Sequence, residues 1–180
     1  YGTRSAITTN SGGTTNLFAA VDESIALTDN DVTYLHNNAT SAGGQDGFVF
    51  LQLTDTPSNF TAMTGMTIDV RARTISRTDD NTTIFAQLFK ADEVTPLSAE
   101  VQVTQNPGTS NWVTVSNVAF TGIVAGTKAD WDGARLKLRW DATVVNAPDS
   151  GNRVRVTTAE LDATYGTGPV DTTPPVFQSA

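Results

Sequence analysis

The 180-residue chain has the length of a single domain. Its formal net charge is -8, from 11 Lys+Arg against 19 Asp+Glu. This balance argues against nucleic acid as a partner, because phosphate binding needs clustered cations. Cysteine is absent, which excludes disulfide scaffolds, thiol nucleophiles and Cys-ligated zinc. No apolar run approaches the roughly 20 residues that span a bilayer, so no membrane insertion is expected.

In chain order, residues 1–16 show no periodicity and are predicted to form an N-terminal arm or linker. From Leu17 onward, short segments with period-2 alternation recur between turn-forming residues, whereas helical periodicity is not sustained. One short helical turn is predicted near 121–133, where Lys128–Trp131 lies between two glycines. The predicted strands are Leu17–Val21, Val32–Asn37, Gly47–Leu53, Met66–Thr74, Thr82–Lys90, Ala99–Thr104, Asn111–Val115, Arg135–Asp141 and Arg153–Tyr165.

Many short strands without intervening helices predict an all-β fold, an antiparallel two-sheet β-sandwich that is jelly-roll-like and spans 17–165. The alternation is clearest in Arg135–Trp140, where the apolar residues point inward and the basic residues outward. Residues 166–180 are predicted to be a proline-stiffened linker and the start of a further domain. The predicted core is Phe48, Phe50, Met66, Ile68, Val70, Ile84, Leu88, Trp112, Leu136, Leu138, Trp140, Val154 and Val156.

Two parts of the chain resemble known families. The segments Asp130–Leu136 and Arg153–Thr157, within 17–165, resemble the "DW…LR" and "RVRVT…L…Y" segments of a jelly-roll-like domain in structural proteins of tailed phages. This resemblance implies a fibre, tail or capsid-decoration module that docks to other virion subunits, to copies of itself or to a host surface. Residues 171–180 resemble the opening of immunoglobulin-like repeats in large bacterial surface proteins and phage fibres, which implies a multidomain, exported or virion-borne protein.

Residues suited to catalysis are sparse. His36 is the only histidine, no Gly-x-Ser-x-Gly elbow occurs, and a surface or half-buried strand histidine is the favoured interpretation. A pair of catalytic carboxylates for glycoside hydrolysis is the minority interpretation, because a solvated sheet face carries acids anyway. We therefore predict no catalytic residue and no enzyme. The acids on or near strands are Asp22, Glu23, Glu100, Glu160 and Asp162.

Three clusters of side-chain oxygens could bind calcium, namely 29–31, 79–81 and Asp130–Asp132. None has the spacing of a known calcium loop, and Asx residues form turns without any ion. We expect no cofactor, with a structural calcium ion as the open alternative.

The basic residues show an unusual spacing. Six of the 11 form three i,i+2 pairs, Arg71/Arg73, Lys137/Arg139 and Arg153/Arg155, and each pair shares one face of a strand. On neighbouring strands they would form a cationic stripe that contacts an anion or a partner subunit. The favoured alternative is a cross-strand ladder neutralised by acids such as Asp69, Glu100 and Asp141.

Aromatic residues offer a platform for sugar. Trp140 shares its parity with core leucines, whereas Trp131 lies beside a turn and is the better candidate for an exposed sugar contact. The leading hypothesis is a non-enzymatic structural or adhesive virion module, located in the virion or on an extracellular surface. The alternative is a carbohydrate-binding module of a secreted bacterial protein or adhesin, whose partner would be a host-surface glycan.

Overall fold

The computed structural model describes residues 4–5, 7–9, 34–37, 43–44, 47–74, 81–108, 111–144 and 154–168. In these ranges the chain is almost entirely extended, and its helical part is the short α1 (Lys128–Trp131). The strands are β1 (Arg4–Ser5), β2 (Ile7–Thr9), β3 (Leu35–Asn37), β4 (Gly43–Gly44), β5 (Gly47–Gln52), β6 (Phe60–Thr74), β7 (Asn81–Phe89), β8 (Val101–Gln105), β9 (Val113–Ala119), β10 (Arg135–Val144) and β11 (Val154–Thr167).

The strands form two antiparallel sheets that pack face to face. Sheet A has the order β1-β5-β10-β7-β8, with β4 also paired to β10, and sheet B has the order β2-β3-β11-β6-β9. The chain passes from β5 in sheet A to β6 in sheet B and returns to sheet A with β7. The predicted all-β, jelly-roll-like β-sandwich is therefore confirmed.

The predicted arm and the predicted start of β6 differ from the structure. Arg4–Ser5 pairs with β5 and Ile7–Thr9 pairs with β3, so residues of the predicted arm join both sheets. Strand β6 starts at Phe60 rather than Met66, because its first part buries every third residue around shifts in register with β11. Alternation of period two is lost there. The predicted strand Leu17–Val21 and residues 169–180 lie outside the described residues.

The core lies between the two sheets and follows the alternation of β10. Leu136, Leu138 and Trp140 are buried, and β6 contributes Ile68 and Val70 from the opposite sheet. Each such side chain stabilises the fold by roughly 1.5–3 kcal/mol. The helical turn is also confirmed as α1, which leads into β10.

Phe48 and Trp112 are not core residues as predicted, whereas Phe50 is buried as predicted but packs outside the cluster between the sheets. Phe48 and Phe50 pair with Arg139 and Lys137 on the outer face of sheet A, while Val49 and Leu51 fill the core. The side chains on both faces of β5 are apolar, so alternation along the strand cannot show which face points into the core. Trp112 is half-buried and stacks beneath Arg73, whose side chain points outward from sheet B.

Within the described ranges, no helix combines the length and hydropathy needed to cross a bilayer.

Candidate binding cleft between the sheets

One end of the sandwich opens into a cleft of about 370 Å³. This volume falls in the roughly 300–1,000 Å³ range of small-molecule binding sites. One wall is the segment 51–57, which leaves sheet A after β5, and the other is the inner face of β11 between Ala159 and Tyr165. The apolar floor is formed by Leu51, Met63, Met66, Trp131 and Leu136.

Within the described ranges, the cleft lies where neighbouring strands end at different places. In the described structure, β3 pairs with β11 only at Arg155 and Val156, so the rest of β11 extends beyond its neighbour. On the other sheet, β5 ends at Gln52 and the chain turns away, closing with a hydrogen bond from the Phe60 amide to the Pro57 carbonyl. The inner side chains of the last part of β11 are consequently left partly exposed.

Trp131 lies in the floor of the cleft and does not form an exposed platform, so the predicted exposure of this side chain is wrong. The indole is 2% exposed, and its Nε1 donates to the carbonyls of Val124 and Ala125 at 3.2 Å each. The short helix α1 turns the ring inward from its last position. Gly126 permits this approach, because a Cβ there would lie 2.9 Å from the indole nitrogen.

The polar rim of the cleft is held by α1 and the turn after it. Asp132 accepts hydrogen bonds from the amide and hydroxyl of Thr56, at 3.1 and 2.7 Å. Lys128 donates to the Thr56 carbonyl and to Asp132, at 2.8 and 2.7 Å. Asp55 accepts from the Gly133 amide at 2.9 Å through one of its two oxygens. The segment 54–57 is therefore fixed before any ligand arrives.

The acids of α1 and of the turn after it serve as partners for lysines and turn amides. The pKa of Asp132 is lowered, first by its hydrogen bond from Lys128 and then by that from Thr56. The pKa of Asp130 is lowered strongly, first by Lys90, whose Nζ lies 2.6 Å from its carboxylate, and then by Thr127. Among the described residues, no group of acidic or histidine side chains is arranged to hold a metal ion. A structural calcium ion stays a prediction.

Tyr165 supplies an aromatic wall to the cleft. The side chain is 40% exposed, and its ring lies 5.8 Å from that of Phe60, centroid to centroid. In the sequence Tyr165 is one of the aromatic residues available for a sugar platform, but Trp131 was preferred because it lies beside a turn. The available signal was the alternation of the last strand, which places Ala159, Leu161, Ala163 and Tyr165 on one face.

The predicted cationic residues lie on two opposite faces of the sandwich and do not form one stripe. Lys137 and Arg139 lie on the outer face of sheet A, whereas Arg71, Arg73 and Arg155 lie on sheet B. Arg153, the sixth predicted contact, is outside the described residues. The predicted stripe required the three strands that carry these pairs to be neighbours in one sheet. In the structure β10 belongs to sheet A, whereas β6 and β11 belong to sheet B.

On sheet A the cations are already engaged with protein groups. Arg139 donates to both oxygens of Glu100, at 3.0 and 2.8 Å, and its guanidinium carbon lies 4.1 Å from the centroid of Phe85. Lys137 lies 5.1 Å from the ring of Phe48. The pKa of Glu100 is lowered chiefly by the hydrogen bond from Arg139. Arg139 is therefore neutralised by an acid, as the ladder interpretation expects, whereas Lys137 contacts aromatic rings.

The catalytic candidates that fall in the described ranges do not line the cleft. Glu100 pairs with Arg139 on the outer face of sheet A, and His36 is buried beside Arg155 in sheet B. Asp22 and Glu23 lie outside the described residues. Of the described residues that line the cleft, Asp55 is the one carboxylate.

No protein-family model and no curated protein matches the chain. Among solved structures, the chain is similar to TmCBM61 in complex with β-1,4-galactotriose, with a TM-score of 0.46 and 8% identity over 90% of this chain and 88% of that chain. It is also similar to the EclA C-terminal domain, a sugar-binding protein, with a TM-score of 0.34 and 18% identity over 69% of this chain and 71% of that chain. At these scores and identities neither likeness carries an argument about function.

Proposed function

We propose that the protein is a non-enzymatic carbohydrate-binding module and that the cleft between its sheets holds the sugar. The observation that carries this proposal is the exposed ring of Tyr165, placed opposite the braced polar rim of a cleft with an apolar floor. Saccharides are amphipathic, with C–H faces that pack on aromatic rings and hydroxyl groups that need hydrogen-bond partners. The cleft offers both kinds of surface.

The rim provides groups that suit sugar hydroxyls. Asp55 uses one carboxylate oxygen for the Gly133 amide, which leaves the other to accept from a ligand. Gln52 and Thr54 also line the cleft and are exposed, and both can donate as well as accept. Hydrogen bonds to these side chains would orient the sugar against the ring of Tyr165.

Bracing of the rim favours binding. The segment 54–57 is tied by Asp132 and Lys128 to α1, so little backbone freedom is lost when a ligand docks. The cost of ordering a binding loop is one of the main terms that oppose affinity.

The proposal of binding without turnover rests on the acids of the cleft. Glycoside hydrolysis ordinarily uses two carboxylates on either side of the scissile bond. Asp55 has no second carboxylate facing it among the described lining residues. We place the module on an extracellular surface, where glycans are the available ligands. The virion role, with other subunits or copies of the chain as partners, stays a prediction that no specific contact favours.

The test is a glycan array followed by calorimetric titration of the best neutral oligosaccharide. Tyr165→Ala should weaken binding by about five- to thirteenfold, because loss of a stacked ring costs roughly 1–1.5 kcal/mol. Tyr165→Phe keeps the ring and should retain most of the affinity. Asp55→Asn preserves the oxygen that accepts from Gly133 and should weaken binding several-fold.

The matched control is Phe48→Ala, which removes a half-buried aromatic ring from the outer face of sheet A. It should leave sugar affinity unchanged. An array without any bound glycan, or equal losses for Tyr165→Ala and Phe48→Ala, would overturn the proposal.

A further inference from the structure

The outer face of sheet B carries a second cluster of residues. It lies near the start of β11, whereas the cleft is lined by the inner face of the last part of that strand. Arg73 on β6 and Arg155 on β11 are direct cross-strand partners. Trp112 lies just before β9 on the side of Arg73, and Tyr34 lies just before β3 on the side of Arg155. These four residues, Tyr34, Arg73, Trp112 and Arg155, are called the arginine–aromatic site below.

The two aromatic rings hold the two guanidinium groups in place. The guanidinium carbon of Arg73 lies 4.9 Å from the centroid of Trp112, and that of Arg155 lies 4.4 Å from the centroid of Tyr34. The rings meet each other at 6.1 Å with their planes tilted by 56°. Stacking on aromatic faces restricts both side chains, so the ordering cost of ligand binding is largely met in the free protein.

Neither arginine of this site has an acidic partner in the described part of the chain. Arg139 on sheet A, in contrast, is paired with Glu100. Like charges directly opposite each other on a sheet destabilise it. Burial is the main cause that lowers the pKa of the Arg155 guanidinium; Tyr34 acts in the opposite direction, and the neighbouring charge of Arg73 adds a smaller lowering effect. An anion between the two arginines would remove this repulsion.

Unsatisfied polar atoms are concentrated at the same place. The buried Nε atoms of Arg73 and Arg155 have no hydrogen-bond partner, and the same holds for Oγ1 of Thr158, which follows Arg155 on this face across a bulge. These are three of the five such atoms among the described residues. Buried polar atoms nearly always have a partner in folded proteins, so this concentration calls for a specific explanation, and a polar ligand bound nearby is one.

We propose that the arginine–aromatic site binds a saccharide that carries a carboxylate group, such as a uronic acid. The planar carboxylate accepts hydrogen bonds from the η nitrogens of Arg73 and Arg155, in the geometry that makes arginine the preferred carboxylate ligand. The parts of the Tyr34 and Trp112 rings that the guanidinium groups leave uncovered contact the sugar ring. This site is separate from the cleft, and its binding does not rest on the function proposed for the cleft.

The negative net charge of the protein limits where an acidic ligand can bind. A chain with a formal net charge of -8 repels acidic ligands at long range, so an acidic sugar gains affinity only from a local cationic group. Of the described cations, Lys137 provides a matched comparison on the opposite outer face.

The experiment is a titration of the folded protein, by calorimetry and amide NMR, with trigalacturonate, its methyl ester and sodium sulfate. Trigalacturonate should bind, and its uncharged methyl ester should bind at least tenfold more weakly. Arg73→Gln and Arg155→Gln should each reduce trigalacturonate affinity about 10–100-fold, as expected for a lost charged hydrogen bond. Lys137→Gln, which removes the same charge elsewhere, should change affinity less than twofold.

Tyr165→Ala should leave trigalacturonate binding unchanged, so failure of the cleft proposal and failure of this one are distinguishable. Arg155→Lys keeps the charge but not the planar donor geometry, and it should lose affinity even though its folding is conserved. Equal binding of the methyl ester, or wild-type affinity in Arg155→Gln, would refute the site. Inorganic sulfate that binds as tightly as trigalacturonate would refute the saccharide part of the proposal.

Discussion

Substitution of Trp131 distinguishes a core residue from a sugar platform. Trp131→Ala removes a side chain that is 2% exposed and deprives the carbonyls of Val124 and Ala125 of their indole donor. A buried Trp→Ala change costs about 3–5 kcal/mol, a large share of the roughly 5–15 kcal/mol that stabilises a domain. At about 2–4 °C per kcal/mol for a chain of this size, the Tm should fall by roughly 6–20 °C.

The assay is urea denaturation of Trp131→Ala and Trp131→Phe, with sugar affinity measured on the folded fraction. Trp131→Phe keeps an aromatic ring in the floor and loses only the N–H donor and part of the volume, so it should cost about 1–3 kcal/mol. Because the ring is buried, Trp131→Phe should retain sugar affinity within about twofold of the wild type. If Trp131 were an exposed sugar platform, its substitution would lower sugar affinity and leave stability almost unchanged. Loss of less than about 1 kcal/mol in Trp131→Ala, together with abolished binding, would refute the assignment to the core.

Two further predictions concern backbone strain and pH. Gly126→Ala should destabilise the protein by about 2–4 kcal/mol, because its backbone has φ +57° and the new Cβ would meet the Trp131 indole at 2.9 Å. Gly122→Ala has a similar φ of +61° but a nearest neighbour at 3.6 Å, so it should show only the backbone cost, and equal losses would contradict the packing. The pKa of Glu100 in the folded protein lies below its usual 4.5, chiefly because of the hydrogen bond from Arg139. The ionised carboxylate therefore stabilises the folded state fully above pH 4.5, and this stabilisation is lost as the pH falls through the lower folded-state pKa. The difference in unfolding free energy between the wild type and Arg139→Gln, about 1 kcal/mol at neutral pH, should shrink on acidification, and a growing difference would contradict the pair.

Local patterns predicted the fold well where one face of a strand is apolar and the other is charged. In β10, leucines and Trp140 alternate with Arg135, Lys137 and Arg139, and only one orientation buries the apolar set without burying charge. In β5 the same reasoning failed, because Phe48 and Phe50 are as apolar as Val49 and Leu51. The neighbouring strand β10 decides which face of β5 points outward, because its cations Arg139 and Lys137 lie opposite the two phenylalanines.

The binding residues were harder to predict, because a site is formed by strands that are distant in sequence. The i,i+2 spacing correctly places Arg71 with Arg73 and Lys137 with Arg139, since that spacing is local. It carries no information about which strand lies next to which, and the pairs belong to different sheets. In the described ranges β11 continues beyond its pairing with β3, and Tyr165 lies in this unpaired part, where it lines the cleft.

By itself, the amino-acid sequence determined the all-β class, the positions of most strands and the outward orientation of the basic residues, because these depend on side-chain periodicity within a few neighbouring residues. The tertiary structure alone decided that Trp131 is buried, that Tyr165 borders a cleft, and that Arg73 and Arg155 stand side by side between Trp112 and Tyr34. Such arrangements depend on strand order and on where neighbouring strands end, and the pattern of any single segment is the same whichever partner it finds.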